Sequence, residues 1–317
     1  MPRYPTYSPE ETLARQVTKS RVFLRRVLAA SHRLFLPPKR QRRLHALLGV
    51  EGCTHAMLLS DVALRIEGAQ LLFGVVREQL PTLMREGTPM FHITFADDIG
   101  LMSDRTPVFK LAALRRKVDK AIRAMGLSAI VMTEVQPLMN HKIDGVGRTL
   151  MLHAHALCWG PVSRRKFRAA TKKLNASRSW SNTFGAKPIV SRKLNNGLDD
   201  ALKIIAYVAK LPHDAKYMVP VITKTGQSFR FRPTITGYRD RLALRIAEGL
   251  SHYTIFDAVF GVGDGKYIRK AWKPRLVAWH RKRTAKRSYA RRVFVAPFWK
   301  RVHREYGDGR YAPYAIG

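Results

Sequence analysis

Between Met90 and Ala96 the chain reads MFHITFA, with Phe91, Ile93 and Phe95 on one side and His92 turned to the other. Successive strand side chains point to opposite faces of a sheet, so this alternation predicts a strand. PVFKLAALRRKVDKAIRAMG (Pro107 to Gly126) is an amphipathic helix, opened by a proline and closed by a glycine. Two long apolar strands follow, SAIVMTEVQPL (Ser128 to Leu138) and TLMLHAHALCW (Thr149 to Trp159). Then come a basic helix SRRKFRAATKKLN (Ser163 to Asn175), a short strand KPIVSRK (Lys187 to Lys193) and a helix GLDDALKIIAYVAKLP (Gly197 to Pro212). The order β-α-β-β-α-β with a trailing helix predicts an α+β fold built on a ferredoxin-like (RRM-like) split βαβ sheet.

Two flanks surround this unit. SPEE (Ser8 to Glu11) is a helix start, with a serine cap, proline at the first helical position and glutamate three residues after the cap. That helix should end before Pro37-Pro38, and DVALRIEGAQLLFGVVREQLPTLM predicts more helix. REGTP (Arg85 to Pro89) marks a boundary. Beyond Pro212 a hairpin is expected in MVPVITKTGQSFRFRPTI, then a helical segment YRDRLALRIAEGLSHYTIFDAVFG and a basic tail. The division expected is a helical basic region (1–88), a sheet domain (89–214) and a basic, mostly helical C-terminal region (215–317).

Charge changes the picture. The 317 residues carry 58 Lys+Arg against 22 Asp+Glu, a formal net charge of +36, in an otherwise ordinary globular composition of 46% hydrophobic residues. Lys266 to Arg304 holds 15 Lys/Arg and no acid, interleaved with Trp272, Trp279, Tyr289, Phe294, Phe298 and Trp299. Such a chain repels itself unless a polyanion neutralises it, which points to nucleic acid. Arginines would contact phosphates and aromatics stack on unpaired bases. No apolar run approaches ~18 uncharged residues, which argues against a membrane. No secretory signal is visible, and two cysteines, Cys53 and Cys158, suit a reducing cytoplasm. Any metal must then be held by histidine and carboxylate.

The chemistry lies in the two long strands. Asp144-Gly145 is a preferred centre for a two-residue hairpin turn. Pairing Ile143 with Val146 places Glu134 opposite His155 and Gln136 opposite His153, all on one face. Two imidazoles and a carboxylate with open positions suit Mg²⁺ or Mn²⁺, and Zn²⁺ less well. On the pair alone, half-buried strand histidines satisfied by their neighbours is the better reading. On the last helix Leu198, Ala201, Leu202, Ile205, Val208 and Ala209 form an apolar stripe. Tyr207 points away from it, with Lys203 and Lys210 roughly 40–60° from the tyrosine. Ammonium groups beside a phenol favour phenolate and can hold phosphate, an arrangement suited to attack on phosphorus. Alone, a surface tyrosine with solvated lysines reads as well or better.

In combination and order, however, these motifs are specific. The chain resembles the HUH endonucleases, and among them the single-tyrosine rolling-circle replication initiators (Rep proteins) of bacterial plasmids and phages. LHAHAL is similar to the His-hydrophobic-His motif, YVAK to Tyr-x-x-Lys and FHITFA, more loosely, to the first-strand motif. The resemblance covers about Met90 to Pro212. It implies His153 and His155 as ligands of a divalent ion, with Glu134 as the third. It implies Tyr207 as the nucleophile that forms a 5′-phosphotyrosine and leaves a primer 3′-OH, with Lys210 steadying the phosphate or the metal. It also implies origin single strands as substrate, a host helicase and polymerase as partners, and a bacterial cytoplasmic setting on plasmid or phage DNA. Lys203, Arg164, Arg165, Lys166, Arg281, Lys282, Arg283, Lys286 and Arg287 are the expected DNA contacts.

Position 211 is leucine, so the Tyr-x-x-x-Tyr of two-tyrosine phage initiators is missing, and so is the third histidine of conjugative relaxases near HAH. Two readings compete with the initiator: a non-catalytic basic nucleic-acid-binding protein, and an HUH transposase or relaxase with the same chemistry. FGVGDGKY (Phe260 to Tyr267) misplaces the residues of a phosphate loop and reads as a structural turn. CTH (Cys53 to His55) lacks partner ligands. LRIAEGLSHYTIFDAVFG is only a loose fit to a helix-turn-helix. His92 could border the site, though a core or surface role is the simpler reading.

Overall fold

The computed structural model describes residues 7–50, 56–105, 107–141, 148–183, 186–208, 211–212, 214–223, 226–233 and 238–285. The chain opens with three helices, α1 (Pro9–Arg33), α2 (Pro38–Leu48) and α3 (Val62–Leu83). The first starts on a reciprocal cap. The Ser8 hydroxyl accepts the Glu11 N–H at 3.1 Å, and the Glu11 carboxylate accepts the Ser8 N–H at 2.7 Å. Asp61 caps α3 with a single bond, its carboxylate accepting the Leu64 N–H at 2.9 Å.

Then follow β1 (Met90–Phe95), β2 (Leu101–Ser103), α4 (Leu111–Ala124), β3 (Ser128–Leu138), β4 (Thr149–Trp159), α5 (Arg164–Asn175), β5 (Ile189–Leu194) and α6 (Gly197–Val208). The last part holds β6 (Lys216–Thr223), β7 (Gly226–Pro233), α7 (Asp240–Leu250), α8 (Ile255–Ala258), β8 (Val259–Val262) and α9 (Gly265–Ala285). The fold is α+β, with a mixed sheet ordered β5-β1-β4-β3-β6-β7; β2 adds to β4, and β8 to β3.

In this sheet β1 and β4 run antiparallel with Thr94 beside His155, and β1 pairs antiparallel with β5 on its other side. One face, carrying Phe91 and Phe95, packs under α5 and the segment after it: Phe91 stacks on Phe167 at 4.0 Å between ring centroids, and Phe95 meets Trp180 at 5.5 Å. The opposite face carries the histidines and lies beneath α6. That helix is in turn covered by α1 and α3, so it is buried nearly all round, at Ala201, Leu202, Ile204, Ile205 and Ala206.

One hydrophobic cluster runs through all three stretches of chain, from Phe23 and Leu72 through Ile93, Val131 and Ile205 to Ile246 and Trp272. Arg33 of α1 pairs with Asp240 of α7 at 2.6 Å, and Arg275 of α9 with Glu78 of α3 at 2.7 Å.

The structure departs from the sequence-based expectations at several points. The hairpin register is shifted by two residues, so that Glu134 lies beside His153, and Gln136 beside Met151. The Asp144-Gly145 turn on which the other register was built lies outside the described residues. A two-residue shift preserves the faces, because side chains alternate with period two, and Glu134 therefore stays with the histidines. The segment read as helical up to Gly261 ends instead in β8, which takes the open edge of β3 from Ala129 to Met132. Its second helix is the single turn α8, followed at once by a strand, so no recognition helix follows α7.

The glycine-rich stretch is a turn, as expected, and the glycines are needed for close packing. A Cβ on Gly265 would sit 1.8 Å from the Ala129 carbonyl oxygen, one on Gly261 would sit 2.3 Å from the Gly265 carbonyl, and Gly263 holds φ +55°. Trp272 is not a base-stacking residue either. It is fully buried and donates its indole N–H to the Gly68 carbonyl at 2.8 Å.

Candidate metal centre and nucleophile

Glu134 on β3 and His153 and His155 on β4 point into one buried cluster, each offering a ligand atom within 4.8 Å of the others. The two Nε2 atoms are 3.0 Å apart, and a Glu134 carboxylate oxygen lies 3.3 Å from His155 Nε2 and 3.6 Å from His153 Nε2. An ion with bonds of about 2.0–2.2 Å sets its ligands roughly 3.0–3.5 Å from one another, close to the spacing of this donor set, which could hold a divalent ion. Two nitrogens and one carboxylate would leave further coordination positions open. The three side chains are 3–7% exposed, which excludes an ordinary solvated histidine pair.

Both imidazoles are held from behind. The Nδ1 of His153 lies 3.4 Å from the Met151 carbonyl oxygen. The Nδ1 of His155 lies 3.1 Å from the Thr94 hydroxyl and 3.2 Å from Nε2 of His92. His92, beside Arg192 across the β1–β5 pair, is pushed down to about 3 by burial first, then by the neighbouring His155 and Arg192 charges. It is neutral at physiological pH.

Tyr207, on the side of α6 opposite the apolar stripe, is half-buried, its ring meeting that of His155 edge-on at 6.1 Å between centroids. This orientation follows from the layering. The helix is sandwiched, so α1 and α3 help cover it, and Tyr207 reaches the histidine face.

The remaining expected site residues divide. Lys203 is half-buried on α6, one turn before Tyr207, while Lys210 lies outside the described residues. Arg164, Arg165 and Lys166 are exposed along the first turn of α5, and Arg281 and Lys282 are exposed at the end of α9. Arg283 is turned inward, its guanidinium 2.8 Å from the Asp61 carboxylate and 2.7 Å from the Gly49 carbonyl oxygen, with 11% of its side chain exposed. It fastens the end of α9 to the start of α3. Lys286, Arg287 and the CTH stretch lie outside the described residues.

Sequence reasoning offered His92 as a residue that could border the site but preferred a core or surface role; it is buried, and its Nε2 lies 3.2 Å from His155 Nδ1. It passed over Arg65, buried on α3 and under the electrostatic influence of Glu134; burial pushes its guanidinium down to about 10, against the opposing pull of that carboxylate. A single arginine in the apolar run VALRIEGAQLLFGVV was its signal.

No family model, no curated protein and no solved structure matches this chain. Among the described residues no helix is long and apolar enough to cross a membrane.

Proposed function

We propose that the chain is a metal-dependent single-strand DNA endonuclease and strand transferase with a tyrosine nucleophile. Within that class we read it as an HUH-type initiator of rolling-circle replication, acting on plasmid or phage origin DNA in a bacterial cytoplasm, with helicase and polymerase supplied by the host. The observation that carries the reading is the buried Glu134–His153–His155 donor set with the Tyr207 ring against His155. The strand order β5-β1-β4-β3, with α4 and α5 as crossovers, supports it, being that of the ferredoxin-like βαββαβ sheet. The formal charge of +36 supports a polyanionic substrate.

When bound, Mg²⁺ or Mn²⁺ would supply Lewis-acid charge stabilisation on the scissile phosphate and orient it. Glu134, His153 and His155 would hold the ion. The Tyr207 oxygen attacks phosphorus, forming a tyrosyl–phosphate bond and breaking the bond to the 3′ oxygen. The phenol gives up a proton and the departing 3′ oxygen takes one up. The phosphodiester becomes a 5′-phosphotyrosine of similar bond energy, so a free 3′-OH can reverse the step and rejoin strands. Lys203 and Lys210 would grip the phosphate, while the exposed α5 and α9 cations hold the flanking strand.

The test is incubation of origin single strands with protein and Mn²⁺, followed by a denaturing gel. The wild type should give a covalent protein–DNA adduct, and Tyr207→Phe should lose it by about 10⁴-fold or more. A non-catalytic nucleic-acid-binding protein would give salt-dependent binding, with log K falling by ~0.7 per phosphate contact on single strands, and no adduct. Adduct formation undiminished in Tyr207→Phe would assign the nucleophile elsewhere.

A further inference from the structure

We infer that Phe35 is a stacking platform for an unpaired nucleic-acid base, with Lys39 and Arg42 of the helix that follows it as phosphate contacts. The inference rests on the nucleic-acid reading of the chain, and not on the metal cluster or on strand cleavage. Phe35 stands out twice. It holds φ +50°, and among the described residues no other non-glycine residue has a positive φ. It is also 88% exposed, more than any other large hydrophobic side chain among them. A lone exposed apolar residue is ordinary on a protein surface. A bulky one in the left-handed region is not, because its Cβ crowds the backbone there.

The turn itself does not ask for phenylalanine. α1 is capped at Leu34, and the next two N–H groups fold back, Phe35 donating to the His32 carbonyl and Leu36 to the Ser31 carbonyl, each at 3.0 Å. Those two bonds define a helix stop whose left-handed position is usually glycine. Leu36 is buried, and its carbonyl accepts the Gln41 side-chain amide at 2.9 Å; on the other side Arg33 is locked to Asp240 at 2.6 Å. The ring is thus carried outward on a fixed backbone, where glycine would close the same turn at less cost. The surroundings select the partner. From Arg33 to Arg43 the sequence holds five Lys/Arg and no acid. Lys39 and Arg42 are exposed and three residues apart on α2, which places them on one side of it. An aromatic face with cations nearby suits a stacked base and its phosphates. An anionic membrane would call for an apolar cluster, and both neighbouring leucines, Leu34 and Leu36, pack inward instead.

The test measures binding of the full chain, in EDTA, to a fluorescein-labelled oligothymidylate and to a duplex over a range of salt concentrations. Phe35→Gly should weaken single-strand binding about 5–150-fold and leave duplex binding within about two-fold. Its salt slope should stay that of the wild type, because stacking releases no counterions. Phe35→Tyr should bind as the wild type does. Lys39→Gln combined with Arg42→Gln should instead lower the salt slope by about 1.4, ~0.7 for each phosphate contact on a single strand. The thermal midpoint of Phe35→Gly should equal or exceed that of the wild type, which separates lost stacking from lost folding. Unchanged single-strand binding in Phe35→Gly would overturn the proposal, as would equal losses on single strand and duplex, or a lowered thermal midpoint. Loss of binding to phosphatidylglycerol vesicles with oligothymidylate binding intact would overturn it in favour of a membrane surface. Wild-type protein that binds no single strand would sink the nucleic-acid reading too, whereas normal binding by Phe35→Gly beside a wild type that binds would sink this inference alone.

Discussion

The two faces of the same strands are equally buried and chemically opposite. Beneath α4 and α5, β4 presents Leu152, Ala154, Ala156 and Cys158; beneath α6 it presents Met151, His153, His155 and Leu157. The first set repays its burial with apolar contact alone. The second places two imidazoles beside a carboxylate in the interior, where each polar group costs roughly 1–3 kcal/mol unless it is hydrogen-bonded. A protein stabilising only a fold would do better with leucine at those positions. Polar residues confined to one side of a strand therefore mark a candidate site, a cluster that could hold a metal ion.

Substitutions on each side break this comparison differently. Leu114→Ala, in α4 on the apolar side, should cost about 2–5 kcal/mol, read as a lower urea midpoint, with Mn²⁺ affinity of the folded protein unchanged. His153→Ala should do the reverse, weakening Mn²⁺ binding by about 100-fold or more while metal-free stability moves by less than ~1.5 kcal/mol. A loss of several kcal/mol in the metal-free His153→Ala protein would make the cluster structural and erase the contrast. The smallest effect concerns Cys158, whose thiol burial pushes well above the ordinary range. In a Cys53→Ser background it should stay unreactive to thiol reagents at pH 8 and become reactive only on unfolding; rapid labelling of the native protein would show the apolar side to be open.

Most of the sheet unit was legible because its elements are long and strongly periodic. Ser128–Leu138 and Thr149–Trp159 have the expected bounds, and the reciprocal Ser8/Glu11 cap stands where SPEE predicted it. The ligand cluster was legible for a related reason. Period-two alternation places His153, His155 and Glu134 on one face whichever even register the hairpin adopts, so a register error of two residues left the candidate site intact.

What escaped was decided by partners far along the chain. Val259–Val262 lies in a window that scans as helix, and becomes a strand because β3 offers an unpaired edge. Trp272 and Arg283 look like nucleic-acid contacts in a basic run, yet Gly68 and Asp61 draw them inward. Local composition cannot distinguish a cation that faces solvent from one that meets a distant carboxylate.

The pairing of β8 with β3 has a consequence for synthesis of the chain. The strand that carries Glu134 leaves the ribosome with one edge unfilled, and everything from Met139 to Ala258 must be made before β8 exists to close it. Pairing so remote in sequence is slow to form, and an open strand edge invites association with other chains. The nascent protein would thus acquire its hairpin and histidines early and its finished core only once α9 has docked against α3. A chain assembled in that order keeps its core open until β8 and α9 have both been made.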